Sequence, residues 1–287
     1  MTKHTDNKNA QFAGSIPAAY DKYLGPILFQ PYAEDIASRL AIDPHSSVLE
    51  LACGTGILTR VLRDRLPATV RLVATDLNEP MFRNAAAKFS GRDTIEWKQA
   101  DASNLPFADN LFDAVVCQFG FMFFPDKARS AREVHRVLKP GGVFLFNVWD
   151  SMEQNPLGKI AHETITSFFE KDPPNFYQVP FGYHDHREIE GALDAAGFRD
   201  IRINVVDKTS VPTEAEDAAN GLVVGNPVAV AIMERDASLL PVIIDAVAEA
   251  LRNHFGQSSF RAPMRAMVIE ARAGRVEMMA PKAISEP

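Results

Sequence analysis

One stretch constrains the fold of this 287-residue chain more than any other: Val48-Leu49-Glu50-Leu51-Ala52-Cys53-Gly54-Thr55-Gly56-Ile57-Leu58-Thr59. An apolar, β-branched run closes on an acid, bends through two glycines and becomes an amphipathic pattern from Ile57, so it reads as strand, turn and helix. Gly54 and Gly56 give a backbone that can bend sharply and lets a ligand approach where a Cβ would stand in the way. A second apolar run from Val70 ends in Asp76, and 76 − 56 = 20 residues separate it from the second glycine. A glycine turn followed at that distance by a strand-end acid is the pattern of nucleoside binding, the acid taking ribose hydroxyls.

The pattern alone is shared by many nucleotide-binding sheets. A dinucleotide site needs a further Gly or Ala to seat pyrophosphate on the helix N-terminus, and Ile57, Leu58 and Thr59 do not supply it. Glu50, at the mouth of the first strand, would repel pyrophosphate but suits a ligand carrying ammonium and sulfonium charges. A third strand ends in Asp101-Ala102, which can read an adenine amino group. These three details favour S-adenosylmethionine.

Residues 46–150 resemble the class I S-adenosylmethionine-dependent methyltransferases, in the branch that includes the ubiquinone/menaquinone methyltransferases. The matching pieces are Glu50 to Gly56, Ala74-Thr75-Asp76-Leu77-Asn78, Gln99-Ala100-Asp101-Ala102-Ser103, Leu105 to Asp113, Glu133 to Gly142 and the strand Val143 to Val148. Ala52 departs from the family, where many members have Gly; alanine still permits close approach. The resemblance implies an α/β, Rossmann-like sheet of seven mostly parallel strands with helices on both faces, its last strand antiparallel. Expected helices cover 57–66, 79–89, 127–138 and 184–196, and expected strands 47–52, 71–75, 95–100, 113–118, 143–148, 200–207 and 265–272. Residues 140–142, Pro-Gly-Gly, read as a turn ahead of the fifth strand.

The resemblance also implies site roles. Ala52, Gly54 and Gly56 would let the backbone approach the methionine portion of the cofactor, with Glu50 orienting that portion or the loop. Asp76 would accept both ribose hydroxyls, Leu77 and Met81 would flank the adenine, and Asp101 with Ala102 would read its edge. Gln118, ending the fourth strand, would lie close to the sulfonium. S-adenosylhomocysteine is the expected product.

Two segments exceed what such a core needs, which divides the chain as follows. Residues 1–40 are a tail and accessory helix, 41–150 the cofactor-binding core, and 151–183 a Pro- and aromatic-rich insertion with a helix over 157–169. Residues 184–211 return to the core, 212–262 carry helical patterns over 214–224, 228–235 and 240–255, 263–275 hold the last strand and 276–287 a tail. The insertions read as helical lids over the acceptor, with a second helical layer or a dimer surface as the alternative. Tyr20 or Tyr23 is expected beside the site, in the manner of related enzymes whose N-terminal helix closes over the cofactor.

The acceptor side is marked by Phe119, Phe121 and Met122 in an aromatic run at the expected pocket edge, which suggests a small, lipophilic or aromatic acceptor, methylated on O, N or C. Gln118 stands where metal-dependent catechol-type enzymes place carboxylates, so no metal is expected. Asp172-Pro173-Pro174-Asn175 looks like the amino-methylating motif of DNA enzymes but lies beyond the fifth strand, and reads as a turn. His184 is a weak candidate for a general base; the His184-Asp185-His186 cluster reads better as a helix cap built on Asp185.

Composition sets limits. The chain is 46% hydrophobic with formal net charge −7 and no long basic run, which argues against nucleic-acid binding by phosphate neutralisation. Its two cysteines, Cys53 and Cys117, fall in apolar strands and read as buried thiols. No signal peptide or membrane span is legible, and the cytoplasm is the expected compartment, as monomer or homodimer. The alternatives are a quinone-ring C-methyltransferase within the same chemistry, a non-catalytic S-adenosylmethionine-binding subunit, and a nicotinamide oxidoreductase. The last would show a Tyr-x-x-x-Lys that Tyr20-Asp21-Lys22-Tyr23 does not supply.

Overall fold

The computed structural model describes residues 12, 14–91, 93–257 and 260–274. The polar stretch 1–11 and the tail 276–287 lie outside the described residues. Seven strands form one sheet in the order β3-β2-β1-β4-β5-β7-β6: β1 Ser47–Leu51, β2 Arg71–Asp76, β3 Ile95–Gln99, β4 Phe112–Gln118, β5 Leu138–Trp149, β6 Phe198–Ser210 and β7 Ala262–Ala273. Only β7 runs against its neighbours, pairing antiparallel with β5 and β6. Helices between the parallel strands are α3 Ile57–Arg65, α4 Glu79–Ala86, α5 Lys127–Val137 and α7 His186–Ala195. The fold is the Rossmann-like one expected.

Both faces of the central strands are buried, as parallel strands require. Alternate residues serve opposite faces. Val48, Leu72, Val116, Leu145 and Val268 meet Leu58 and Leu62 of α3 and Ile36 of α2 (Gln30–Arg39). Val115, Cys117, Phe144 and Phe146 turn to the other side, against Ala131 and Val134 of α5 and Ile189 and Leu193 of α7. Asp126 caps α5 by accepting from Arg129 N–H at 2.8 Å. Asp185 caps α7 in the same manner, accepting from Arg187 and Glu188.

The Pro-Gly-Gly turn takes a different form from the one expected. β5 starts at Leu138, paired with Phe112, and the next pair is Ala114 with Val143. Residues 139–142 therefore bulge opposite Asp113 alone, with Gly141 at φ +80°, and Lys139 closes the bulge by an ion pair to Asp113 at 2.7 Å. Strands β6 and β7 also exceed their expected lengths, because their pairing continues from Phe198–Ala273 to Ser210–Ala262.

The remaining helices cover one end of the sheet. Helix α1, Ile16–Ala19, continues into a π-helical stretch, Tyr20–Phe29. Helix α6, Pro156–Ser167, lies in the first insertion, and α8 Ala215–Val224, α9 Val228–Asp236 and α10 Leu239–Phe255 lie in the second. They share the core rather than standing off it: Leu24, Leu157, Ala161, Ala218, Leu222, Val247 and Leu251 are fully buried in one cluster with the sheet. Burying each of the leucine and valine side chains among them contributes about 1.5–3 kcal/mol.

Candidate functional site

In the strand order, β1 and β4 are neighbours although α3, β2, α4 and β3 separate them in the chain, so the helices depart to opposite sides between these two strand ends and leave a crevice there. A cavity of about 520 Å³ occupies that crevice. The backbone at its floor is strained in a matched way. Ala52, just past β1, has φ +51°, and Phe119, just past β4, has φ +50°; both are left-handed conformations that L-residues with a Cβ disfavour. Between them, a Cβ on Gly120 would come within 2.5 Å of Ala52 Cβ and 2.8 Å of Cys117 Sγ. The two strand ends pack so closely that residue 120 has no room for a side chain.

On the β1–β2–β3 side the cavity is lined by Ala52, Gly54, Asp76, Leu77, Asn78, Met81, Asp101 and Ala102. Asp76 is the organiser. Its Oδ2 accepts from Gly54 N–H at 2.9 Å and its Oδ1 from Asn78 N–H at 2.8 Å. The Asn78 side chain and the Leu77 N–H also favour its charged form. Burial pushes this carboxyl above its ordinary value, against the pull of those N–H groups. Leu77, 56% exposed, and Met81 form an apolar edge beside it, and Met81 Cε lies 3.4 Å from the Cβ position of Gly54. Asp101 is fixed by Ser103 N–H at 2.8 Å.

Glu50 and Gly56 do not line the cavity. Glu50 lies beneath the turn, fully buried beside Thr59; desolvation lifts its carboxyl to about 8, and Asp76 adds to the rise. Its Oε2 has no hydrogen-bond partner. Gly56, at φ +85°, instead seats the start of α3 against α4, where a Cβ would meet Ala85 Cβ at 3.0 Å.

Across the crevice the lining changes character: Gln118, Phe119, Met122, Trp149, Leu157, Phe176, Tyr177, Phe181, Leu222, Pro263 and Met264, with Phe12, Tyr20 and Phe29 from the N-terminal segment. Among the described lining residues this half holds no Asp, Glu, Lys, Arg or His. Gln118 spends its Nε2 on Phe29 carbonyl at 3.0 Å. The two insertions are tied into the wall by hydrogen bonds. Asn155 donates to the carbonyls of Asp150, Ser151 and Arg265 and accepts from Arg265 N–H, and Tyr177 donates to Leu222 carbonyl at 2.6 Å.

Several expected residues are placed elsewhere. Phe121 is turned into the core by the 3₁₀ turn Phe121–Phe123 and packs on Phe144, Phe146 and Tyr183, whereas Phe119 and Met122 do line the cavity. Tyr23 faces away, under Lys22 and against α8 at Gly221; Tyr20 lines the cavity, stacked on Phe29 at 4.6 Å. Burial first, then the charges of Asp76 and Asp21, push the Tyr20 phenol well above its ordinary value. His184 bonds Phe181 carbonyl at 2.8 Å and lies outside the cavity. Among the described residues no group of three or more His, Cys, Asp or Glu is arranged to hold a metal ion, and no helix is long and apolar enough to cross a membrane.

A family model described as a methyltransferase domain fits residues 49–146. The chain is 37% identical over 169 residues to the ubiquinone/menaquinone biosynthesis C-methyltransferase UbiE of Klebsiella pneumoniae, covering 54% of this chain and 67% of that one. It is 29% identical over 201 residues to the demethylmenaquinone methyltransferase of Staphylococcus epidermidis, covering 65% and 83%. A phosphoethanolamine N-methyltransferase from Haemonchus contortus, solved in complex with S-adenosyl-L-methionine, superposes with TM-score 0.59 at 14% identity, covering 96% of this chain and 62% of that one, a likeness of fold.

Proposed function

Because this chain belongs to the class I S-adenosylmethionine-dependent methyltransferases, we propose that its large crevice holds the methyl donor on the β1–β2–β3 side and a flat, lipophilic acceptor against the aromatic wall. One observation carries this reading: the lining switches from carboxylates and turn backbone on one side to uncharged aromatic rings on the other.

The residues present fit the donor. Asp76 holds both ribose hydroxyls, Leu77 and Met81 sandwich the adenine, and Asp101 with Ala102 reads its amino edge. Ala52 and Gly54 admit the methionine portion with no side chain between it and the backbone. Glu50 and Gly56 act from below, as charge and shape of the turn. S-adenosylmethionine supplies an activated methyl group whose sulfonium leaves as a neutral thioether. The protein's part is alignment and exclusion of water. Phe29, Phe119, Trp149 and Phe181 remove the acceptor from solvent, and Tyr20 stands where the two halves meet.

That the described residues of the acceptor half include no Asp, Glu, Lys, Arg or His favours an acceptor that is nucleophilic without a base, such as an electron-rich ring carbon. The relatives named for quinone and demethylmenaquinone methylation make a quinone-like ring in its reduced, hydroxylated form the first acceptor to test. Transfer would form a carbon–carbon bond as the sulfur–methyl bond breaks; with the acceptor entering as its ring hydroxylate, one proton already lost to bulk water, the ring-carbon proton then moves to that oxygen and restores the aromatic ring. The test incubates the protein with S-adenosylmethionine and demethylmenaquinone under reducing conditions. This reading expects protein-dependent S-adenosylhomocysteine and a product one methylene heavier by mass spectrometry. Tight S-adenosylhomocysteine binding without turnover on any aromatic acceptor would replace it with a cofactor-binding subunit.

A further inference from the structure

Asn147 is fully buried in the middle of the sheet, on β5 between Phe146 and Val148, paired with Gln118 on one side and Val268 on the other. An amide is costly there. A β-branched apolar residue would fit the strand and leave nothing unpaired, yet Asn147 Nδ2 has no hydrogen-bond partner. A buried, half-satisfied polar group inside a well-packed sheet points to a task other than packing.

Its one side-chain bond shows what the task is. Phe119 N–H lies 2.9 Å from Asn147 Oδ1 and 3.2 Å from the Asn147 main-chain carbonyl. The main-chain bond alone would continue the β4–β5 ladder. The shorter side-chain bond reaches the same N–H at the residue where the chain leaves the strand with φ +50°. The left-handed turn at Phe119 is therefore clamped at its amide, and the next residue, Gly120, is jammed between Ala52 and Cys117. With the backbone held at both ends, the ring of Phe119 has one place to go. It stacks on Trp149 with centroids 4.0 Å apart and 14° between planes, and meets Tyr32 edge-on at 5.3 Å and 90°. Tyr32 is in turn anchored by its hydroxyl to Val206 carbonyl at 3.1 Å. Phe119 and Trp149 both line the cavity, on the side opposite Asp76.

We propose that Asn147 is a positioning residue: by clamping the left-handed turn at Phe119 it sets the Phe119–Trp149 stack as the flat wall against which a planar acceptor is oriented. This rests on the aromatic acceptor assigned above. Asn147 itself touches neither substrate nor cofactor and acts through Phe119.

Indole emission tests the proposal without the natural acceptor. Trp97, the other tryptophan, is on β3 against Phe89 and outside the cavity, so Trp97→Phe isolates the signal of Trp149. The probe is 1,4-naphthoquinone, planar, uncharged and a quencher of indole. Saturable quenching is expected in the Trp97→Phe protein. Asn147→Val should weaken it at least tenfold and shift the Trp149 near-ultraviolet dichroism, with S-adenosylhomocysteine affinity held within threefold by calorimetry. Asn147→Asp, which keeps an oxygen at the clamp, should restore both signals. If Asn147→Val does not fold, Phe119→Gly takes φ +50° freely and removes the ring, and should abolish quenching while sparing S-adenosylhomocysteine. Unchanged quenching and dichroism in Asn147→Val, or full quenching in Phe119→Gly, would overturn the positioning role. Absence of saturable quenching before any change at 147 would instead overturn the planar-acceptor reading on which it rests.

Discussion

The carboxylate of Asp76 accepts a hydrogen bond from Gly54 N–H at 2.9 Å, tying the end of β2 to the glycine turn that follows β1. One side chain thus shapes the turn and faces the cavity. Two motifs separated by 20 residues in sequence act as one piece of machinery for this reason.

Asp76→Asn should raise the Kd for S-adenosylhomocysteine roughly a hundredfold, since hydrogen bonds to a buried charged group are worth about 1.5–3 kcal/mol. Asparagine keeps one acceptor for the turn and replaces the other with a donor. Calorimetry at pH 7 checks it, and unchanged affinity would remove Asp76 from the ribose.

Glu50 gives the protein a pH signature. Burial lifts its folded-state carboxyl from 4.5 to about 8, so the fold favours the neutral acid. The stability held in that form is complete below the ordinary value and is lost as pH rises through about 8. The cofactor-free protein should therefore lose stability between pH 5 and 8.5, by on the order of a few kcal/mol, seen as a falling Tm, and Glu50→Gln should flatten the profile. A cationic ligand above Glu50 favours its carboxylate, so cofactor binding at pH 7 should release a proton. Calorimetric heats that depend on buffer ionisation enthalpy would report it; buffer-independent heats would place Glu50 outside the cofactor's field.

Gly120→Ala forces a Cβ to 2.5 Å from Ala52 Cβ and 2.8 Å from Cys117 Sγ, and overpacking of that kind costs about 1–3 kcal/mol. Adding Ala52→Gly removes one of the two clashes and also relaxes the left-handed strain at residue 52. Denaturant melts should show the double variant recovering part of the loss. Additive losses would mean that the two strand ends do not interlock.

Much of this architecture was legible beforehand because it is local in the chain. The turn Gly54–Gly56, the strand-end acids Asp76 and Asp101, and the Asp185 cap are each specified within a few residues, and the structure places Asp76 and Asp101 on the cavity. The acceptor wall was not legible to the same degree. Phe119 and Phe121 are two residues apart in one aromatic run, yet a 3₁₀ turn sends the second into the core. Trp149, Phe181 and Leu222 come from a strand end and two insertions that meet only in three dimensions. The signal that could have found Trp149 is its place at the end of β5, beside the end of β4.

Phe181 tests the wall at a point away from Asn147. It closes over Gly158, where a Cβ would fall 2.5 Å from its ring, and tilts toward Trp149 at 6.1 Å. Phe181→Ala should lower acceptor kcat/KM by roughly 10- to 100-fold, about 1.4–2.8 kcal/mol of transition-state stabilisation, while S-adenosylhomocysteine affinity stays within about twofold. Equal losses on both would place Phe181 on the donor side.

The most direct measurement follows the methyl group itself. The protein is incubated with S-adenosylmethionine tritiated in the methyl group and a cell extract, and label is counted separately in organic, aqueous and macromolecular fractions. Label in the organic fraction, lost in Asp76→Asn and sharply reduced in Phe181→Ala, is the expected result for a lipophilic aromatic acceptor held in this cavity. Label confined to macromolecules or to the aqueous fraction would contradict it.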